Sequence, residues 1–158
     1  MGHYVSTIIA PTGMLRNLLF ELPGAQAVPA KQGLSFIPLS DTLIDKMGDS
    51  SQPYPPFQHL TENIERKLRN YSADCPIAYV ETEYFGGTGS QAAVSWINSD
   101  IDFPATISET TWDDATQSFS HSAGRPINQA LDCIGVEAAD GLDEFDSIGL
   151  GDVRSFDD

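Results

Sequence analysis

The sequence feature that most constrains the fold is a pair of strand-like runs joined by a glycine-rich turn, between Cys75 and Asn98. Residues 77–85 are rich in β-branched and aromatic side chains, and residues 92–97 resume that composition. The intervening Gly86-Gly87-Thr88-Gly89 permits positive φ angles and a tight reversal. The segment therefore predicts a β-hairpin.

The side chains of this hairpin predict a central position in a sheet. With a loop over residues 86–89, Phe85 pairs with Ser90 and both faces are partly apolar, which indicates cover on each side. A loop of another length changes the partners, so the register stays open. In every register considered, Glu81 and Glu83 share a face with apolar and aromatic side chains, and such local inconsistencies are often functional.

The remaining pattern predicts an α+β fold, with a mainly antiparallel sheet, a central hairpin and helices packed on it. Further strands are predicted at residues 3–10, 34–39 and 103–107, and residues 109–124 form either a loop or an irregular edge hairpin. Helices are predicted after the caps Thr12 and Ser40, across residues 57–71, and from Pro126. Pro38 places the end of the 34–39 strand at an edge or at the margin of the sheet. Residues 1–158 are expected to form a single domain, in which 138–158 are an acidic, partly docked tail with a frayed end.

Charge is the most informative bulk property of the chain. There are 23 acidic and 8 basic side chains, a formal net charge of −15. Residues 100–158 hold 14 of the acids and only two of the basic residues. Such a field disfavours nucleic acid and anionic membranes and speeds encounter with a basic partner. The alternative is that acidity serves solubility alone.

The residues give little sign of catalysis or cofactor binding. The glycines at 86–89 precede a strand-like run and lack the helix and lysine of a phosphate loop. Acids at 140–146 lack the order of a calcium loop, and the three histidines are scattered, so we expect no metal and no cofactor. Glu81 and Glu83 remain candidates for a paired acid and base, because neighbouring carboxylates separate their pKa values.

Three motifs carry a resemblance to known proteins. These are Ala78-Tyr79-Val80-Glu81-Thr82-Glu83-Tyr84-Phe85-Gly86-Gly87-x-Gly89-x-Gln91-Ala92-Ala93, Pro126-Ile127-Asn128-x-Ala130-Leu131 and Asp143-Glu144-Phe145-Asp146-x-x-Gly149-Leu150-Gly151. Together the motifs, which lie in the last half of the chain, resemble a family of small, uncharacterised bacterial cytosolic proteins. In size, acidity and lack of catalytic residues, the chain also resembles the acidic immunity proteins that neutralise secreted bacterial toxins. Neither resemblance implies a catalytic residue.

The leading functional hypothesis is a noncatalytic binding protein, an immunity or antitoxin-like inhibitor in the bacterial cytoplasm, which covers a basic toxin. The expected acidic contacts are Glu81, Glu83, Asp143, Glu144 and Asp146, and the expected apolar anchors are Tyr84, Phe85 and Phe145. One alternative is a small hydrolase or transferase that uses Glu81 and Glu83. Another is a structural, self-associating module, and the sequence leaves the oligomeric state open.

Overall fold

A computed structural model describes residues 2–153 and 155 and contains a seven-stranded antiparallel sheet in the order β2-β3-β1-β4-β5-β6-β7. The strands are β1 (Gly2–Pro11), β2 (Val28–Pro29), β3 (Leu34–Pro38), β4 (Ile77–Phe85), β5 (Thr88–Ile97), β6 (Asp100–Asp113) and β7 (Ser118–His121). The helices are α1 (Leu15–Phe20), α2 (Asp41–Lys46), α3 (Glu62–Tyr71), α4 (Pro126–Cys133) and α5 (Glu144–Ser147), with 3-10 turns at Thr12–Met14 and Leu150–Asp152. The predicted α+β class, with an antiparallel sheet and a central hairpin, is confirmed.

The hairpin register differs from the one that a four-residue loop requires. Phe85 pairs with Thr88, so only Gly86 and Gly87 form the turn, with φ angles of 63° and 86°. Positive φ at both central residues is typical of a type I′ turn, whose twist matches that of the flanking strands. The expected pairing of Phe85 with Ser90 is therefore wrong by two residues. A shift of two keeps each side chain on its predicted face.

Each face of the sheet carries its own apolar layer. We call the first the α3 face: α1, α2 and α3 cover it, and strand residues such as Ile8, Tyr79 and Trp96 point into it. We call the second the α4 face: α4 and the segment around α5 cover it, and Val80 and Ala93 contribute from the strands. Alternate residues of β4 enter opposite layers, which explains why both hairpin faces are apolar.

Helix α3 packs across the hairpin, as its amphipathic pattern predicts. Its buried Glu65 accepts a hydrogen bond from the Trp96 indole Nε1 at 3.0 Å and pairs with Arg69 at 2.8 Å. The helix begins at Glu62, because the Thr61 side chain caps it by accepting from the Ile64 N–H. The predicted start near residue 57 is therefore five residues early.

Other local predictions have mixed outcomes. Ser40 caps α2 by accepting from the Leu43 N–H, and Pro126 opens α4, both as expected. Thr12 instead bonds the Ser35 hydroxyl and caps nothing. Pro38 is the last residue of β3, and the two-residue β2 pairs with that strand only at Ser35 and Phe36, so the proline lies at the margin of the sheet, as expected.

The C-terminal third completes the sheet edge and covers the α4 face. Residues 109–124 form an edge hairpin from the end of β6 and all of β7, one of the two expected alternatives. The predicted 103–107 strand is the middle of the longer β6. In the acidic tail, Ile148 and Leu150 are fully buried and dock it on the sheet. The expected frayed end falls on residue 154 and residues 156–158, which lie outside the described residues.

Candidate functional site

The eight predicted partner-binding residues do not form one surface. Glu81, Glu83 and Phe85 point to the α3 face, and the Phe85 side chain is 77% exposed. Tyr84, Asp143, Phe145 and Asp146 line a cavity on the α4 face. Glu144, the first residue of α5, is half-buried beside that cavity but does not line it. Strand alternation therefore places the two groups on opposite faces of the sheet.

On the α3 face, the Glu81 carboxylate is occupied by hydrogen bonds within the protein. Oε1 accepts from the Gln58 N–H at 2.8 Å, and Oε2 accepts from the His59 N–H at 2.9 Å and the Tyr79 hydroxyl at 2.7 Å. Burial, followed by the Glu81 charge, raises the pKa of the fully buried Tyr79 well above its ordinary value, so the phenol remains a donor. Glu81 therefore holds the 58–59 loop against β4.

Glu83 is more exposed than Glu81, and its one hydrogen bond among the described residues, from Gln58 Nε2, is long at 3.5 Å. The cavity that both glutamates line has a volume of about 30 Å³, which admits water but no organic substrate. The hydrolase or transferase alternative stays a prediction, without a substrate-sized cavity between the two carboxylates to support it.

A second group of hydrogen-bonded side chains lies on the α3 face, and no local sequence pattern predicts it. His59 Nδ1 lies 2.8 Å from Asp41 Oδ1, and His59 Nε2 lies 3.1 Å from the Tyr4 hydroxyl. With the Nδ1 proton directed at Asp41, Nε2 accepts from Tyr4. Burial, then the charges of Glu83, Glu81 and Asp41, raise the pKa of Tyr4, so the phenol stays protonated and donates. The group ties three distant segments together beside a groove of about 600 Å³.

The α4 face holds a cavity of about 490 Å³ at the turn end of the central hairpin. It brings together residues from β1, β4, β5, β6, β7 and the segment around α4 and α5. Its lining includes His3, Tyr84, Gln91, Thr110, Phe119, His121, Arg125, Asn128, Asp143, Phe145 and Asp146. The volume falls within the range of small-molecule and side-chain binding pockets, about 300–1,000 Å³.

A chain of hydrogen bonds forms one wall of this cavity. His121 Nδ1 lies 2.8 Å from the Thr110 hydroxyl, which lies 3.3 Å from the Tyr84 hydroxyl. Gln91 Nε2 donates to Tyr84 at 2.9 Å, and Gln91 Oε1 accepts from the Ile127 N–H at 2.9 Å. Because each member constrains the next, the wall is ordered before any ligand arrives.

The acidic side chains lie on the opposite wall of this cavity. Asp143 Oδ1 caps α5 by accepting from the Asp146 N–H, and Oδ2 accepts from Asn128 Nδ2 at 3.1 Å. Burial, then the carboxylates of Asp143 and Asp152, raise the pKa of Asp146, whereas His3 lowers it. The Asp146 charge is therefore placed where a cation would stabilise it.

Exposed aromatic rings border the cavity on the side of the edge hairpin. Trp112 and Phe119 are cross-strand partners with ring centroids 5.0 Å apart, and each is almost half exposed. Phe119 lies over the hairpin turn, where a Cβ on Gly87 would lie 3.0 Å from its ring. On the inner side, the Phe145 ring contacts the His3 ring at 5.3 Å. Aromatic side chains are enriched at protein–protein interfaces relative to the rest of a protein surface.

Among residues 2–153 and 155, no three histidine, cysteine, aspartate or glutamate side chains lie close enough together to hold a metal ion. Among the same residues, no helix has both the length and the apolar character needed to cross a bilayer.

Comparison with known proteins finds no match to this chain among protein-family models, curated proteins or solved structures.

Proposed function

We propose that this protein is a noncatalytic binding protein of the bacterial cytoplasm, an immunity or antitoxin-like inhibitor, that captures a basic protein on its α4 face. The observation that carries the proposal is the cavity in which Tyr84 meets Asp143, Phe145 and Asp146. These residues come from two segments almost sixty positions apart, and they combine aromatic surface with negative charge.

The charge distribution supports the same face. The segment 100–158 supplies 14 of the 23 acidic side chains. It builds β6, β7, α4 and α5, which border or cover the α4 face. The basic cluster Arg66, Lys67 and Arg69 belongs to α3, on the other side of the sheet. A basic protein would therefore be steered towards the α4 face, most strongly at low ionic strength.

The glutamate pair on the α3 face offers less support for either binding or catalysis. Glu81 is committed to three hydrogen bonds within the protein, and the cavity beside it holds only water-sized groups. We therefore assign Glu81 a structural role and place the partner contacts on the α4 face.

Affinity capture from the native host, followed by mass spectrometry, tests the proposal. Three baits are compared: the wild type, the D143N/D146N double variant, and the matched E62Q/E83Q variant, which removes two exposed charges from the α3 side. Asn at position 143 preserves the helix cap, because Asn caps as well as Asp.

We expect a basic protein that the wild type and E62Q/E83Q retain and that D143N/D146N loses. Coexpression with that protein should then relieve any toxicity for the wild type but not for D143N/D146N. Equal retention by all three baits, or no basic partner at all, contradicts the proposal. Gel filtration of the wild type at several concentrations identifies self-association, which would instead favour a structural module.

A further inference from the structure

We propose that the cavity on the α4 face is a guanidinium site, which receives one arginine side chain of the basic partner. This inference rests on the proposed function and specifies the chemical group that the cavity recognises. It is argued from the carboxylates, the rings and the internal arginine at the cavity.

The two carboxylates leave acceptor capacity directed at the cavity. Each Asp143 oxygen accepts one hydrogen bond from within the protein, and a carboxylate oxygen has room for a second. No hydrogen-bond donor among residues 2–153 and 155 reaches the Asp146 carboxylate. Its Oδ1 lies against Gly151, where a Cβ would approach it closely, so the absence of a side chain at 151 gives Asp146 its place at the cavity wall.

The rings favour a planar cation over a compact one. Tyr84, Phe119 and Phe145 supply flat surfaces around the same space that the carboxylates face. A guanidinium group stacks on aromatic rings and binds carboxylates through parallel N–H donors, whereas an ammonium group is more strongly hydrated and acts as a point charge. The cavity therefore matches arginine better than lysine.

The protein already places a guanidinium at this site. Arg125 Nη1 lies 3.8 Å from Asp143 Oδ2, and the Arg125 side chain is 58% exposed. An ion pair this long and exposed contributes little to stability. An arginine from a partner could replace Arg125 at Asp143 at little cost, so Arg125 acts as an internal competitor for the site.

This competition gives the two charge changes opposite effects. Removing the carboxylates should weaken binding of a guanidinium compound, whereas removing Arg125 should strengthen it. A merely acidic surface would respond in the same directions but would not distinguish guanidinium from ammonium. The comparison of arginine with lysine is therefore the decisive part of the test.

The experiment is an NMR titration of the full chain with N-acetyl-arginine amide and, separately, N-acetyl-lysine amide. The proteins are the wild type, D143N/D146N, R125Q, F145L and the matched control E62Q/E83Q. Amide shifts of the ligand-free variants show that each retains the fold.

For the arginine compound, we expect a millimolar dissociation constant, with shifts at residues 119–128 and 143–147. Binding should weaken at least fivefold in D143N/D146N and about threefold in F145L, strengthen about threefold in R125Q, and stay unchanged in E62Q/E83Q. The lysine compound should bind at least threefold more weakly than the arginine compound.

Equal binding of the two compounds overturns the guanidinium assignment, as do shifts at residues 56–60 and 81–83 in place of the cavity segments. If the arginine compound fails to bind while D143N/D146N still loses a basic partner in the capture experiment, this inference fails and the proposed function stands. If the arginine compound binds as expected but no basic protein is captured, the proposed function fails and the guanidinium site stands.

Discussion

The substitution E81Q separates the structural role of Glu81 from a catalytic one. The carboxylate accepts hydrogen bonds from the Gln58 and His59 N–H groups and from the Tyr79 hydroxyl. Glutamine removes the charge and directs an NH₂ group at one or more of these donors. A hydrogen bond to a charged group contributes about 1.5–3 kcal/mol, so losing one such bond and weakening the others should destabilise the fold by about 2–3 kcal/mol. For a chain of this length, that lowers Tm by about 5–10 °C.

The matched control is E83Q, on the same strand and the same face. Glu83 is exposed, and its one hydrogen bond within the described part of the chain is long, so the change should stay within about 0.5 kcal/mol. Urea unfolding, followed by circular dichroism, measures both variants and shows whether the m-value is unchanged. Equal stabilities for E81Q and E83Q would refute the structural assignment of Glu81 and reopen a functional role for the pair.

Three further substitutions test other parts of the account. G89A should destabilise the fold by more than about 2 kcal/mol or prevent folding, because a Cβ at Gly89 would clash with the Glu83 carbonyl oxygen. G86A should destabilise the fold by only about 1 kcal/mol, because a Cβ at Gly86 would meet open space. Equal stabilities of the two variants in urea unfolding would contradict the observed hairpin register. Because the folded-state pKa of Asp146 is raised, its ionisation opposes folding, so D146N should be more stable than the wild type at pH 7. D146N should lose that advantage as the pH falls from the raised folded-state pKa to the ordinary aspartate value; a stability difference that stays constant in thermal unfolding from pH 7 to pH 3 would contradict this prediction. S40A removes the cap of α2 and should lower the free energy of unfolding by about 1 kcal/mol. A decrease below about 0.3 kcal/mol, which is close to experimental error, would contradict that role.

The D146N prediction links stability to function. If Asp146 is held beside other carboxylates to receive a cation, that placement lowers the stability of the unbound protein. Removing the charge should then increase stability and decrease partner binding in the same variant. Loss of both would indicate that Asp146 supports the fold instead.

Elements with a strong local signal were predictable from the sequence. Ser40 and Pro126 determine where helices begin through their own hydrogen-bonding and φ preferences, and the β4–β5 hairpin follows from composition and a turn signal within 24 residues. Phe57 shows why such signals fail: it fits the helical spacing of α3 and is buried, but it lies before the cap at Thr61. Burial alone does not reveal which element a side chain belongs to.

The site was only partly predictable. Sequence reasoning selected Tyr84, Asp143, Phe145 and Asp146 individually, but their meeting depends on how α5 packs over the sheet, which no local pattern specifies. The same reasoning grouped them with Glu81, which the strand alternation places on the opposite face. The alternation of side chains along β4 already places residues 81 and 83 on one face and residue 84 on the other. This alternation is the sequence signal that separates the two groups.

The contacts of the histidines were not predictable from the sequence. His59 stands alone in the sequence, with no metal-ligand or triad spacing, yet the fold brings it between Asp41 and Tyr4. His121 likewise joins the cavity wall only because β7 pairs with β6 at Thr110. Contacts between distant segments require the sheet order, and the sequence does not contain a local signal for it.

The most direct test of the central claim is a hydrogen–deuterium exchange footprint of the basic partner that the wild-type bait retains. Binding should slow exchange in residues 119–128 and 140–147, which border the cavity on the α4 face, and leave exchange in residues 56–60 on the α3 face unchanged. Protection of residues 56–60 with no change at 119–128 and 140–147 would place the partner on the opposite side of the sheet and rule out capture by the α4 face.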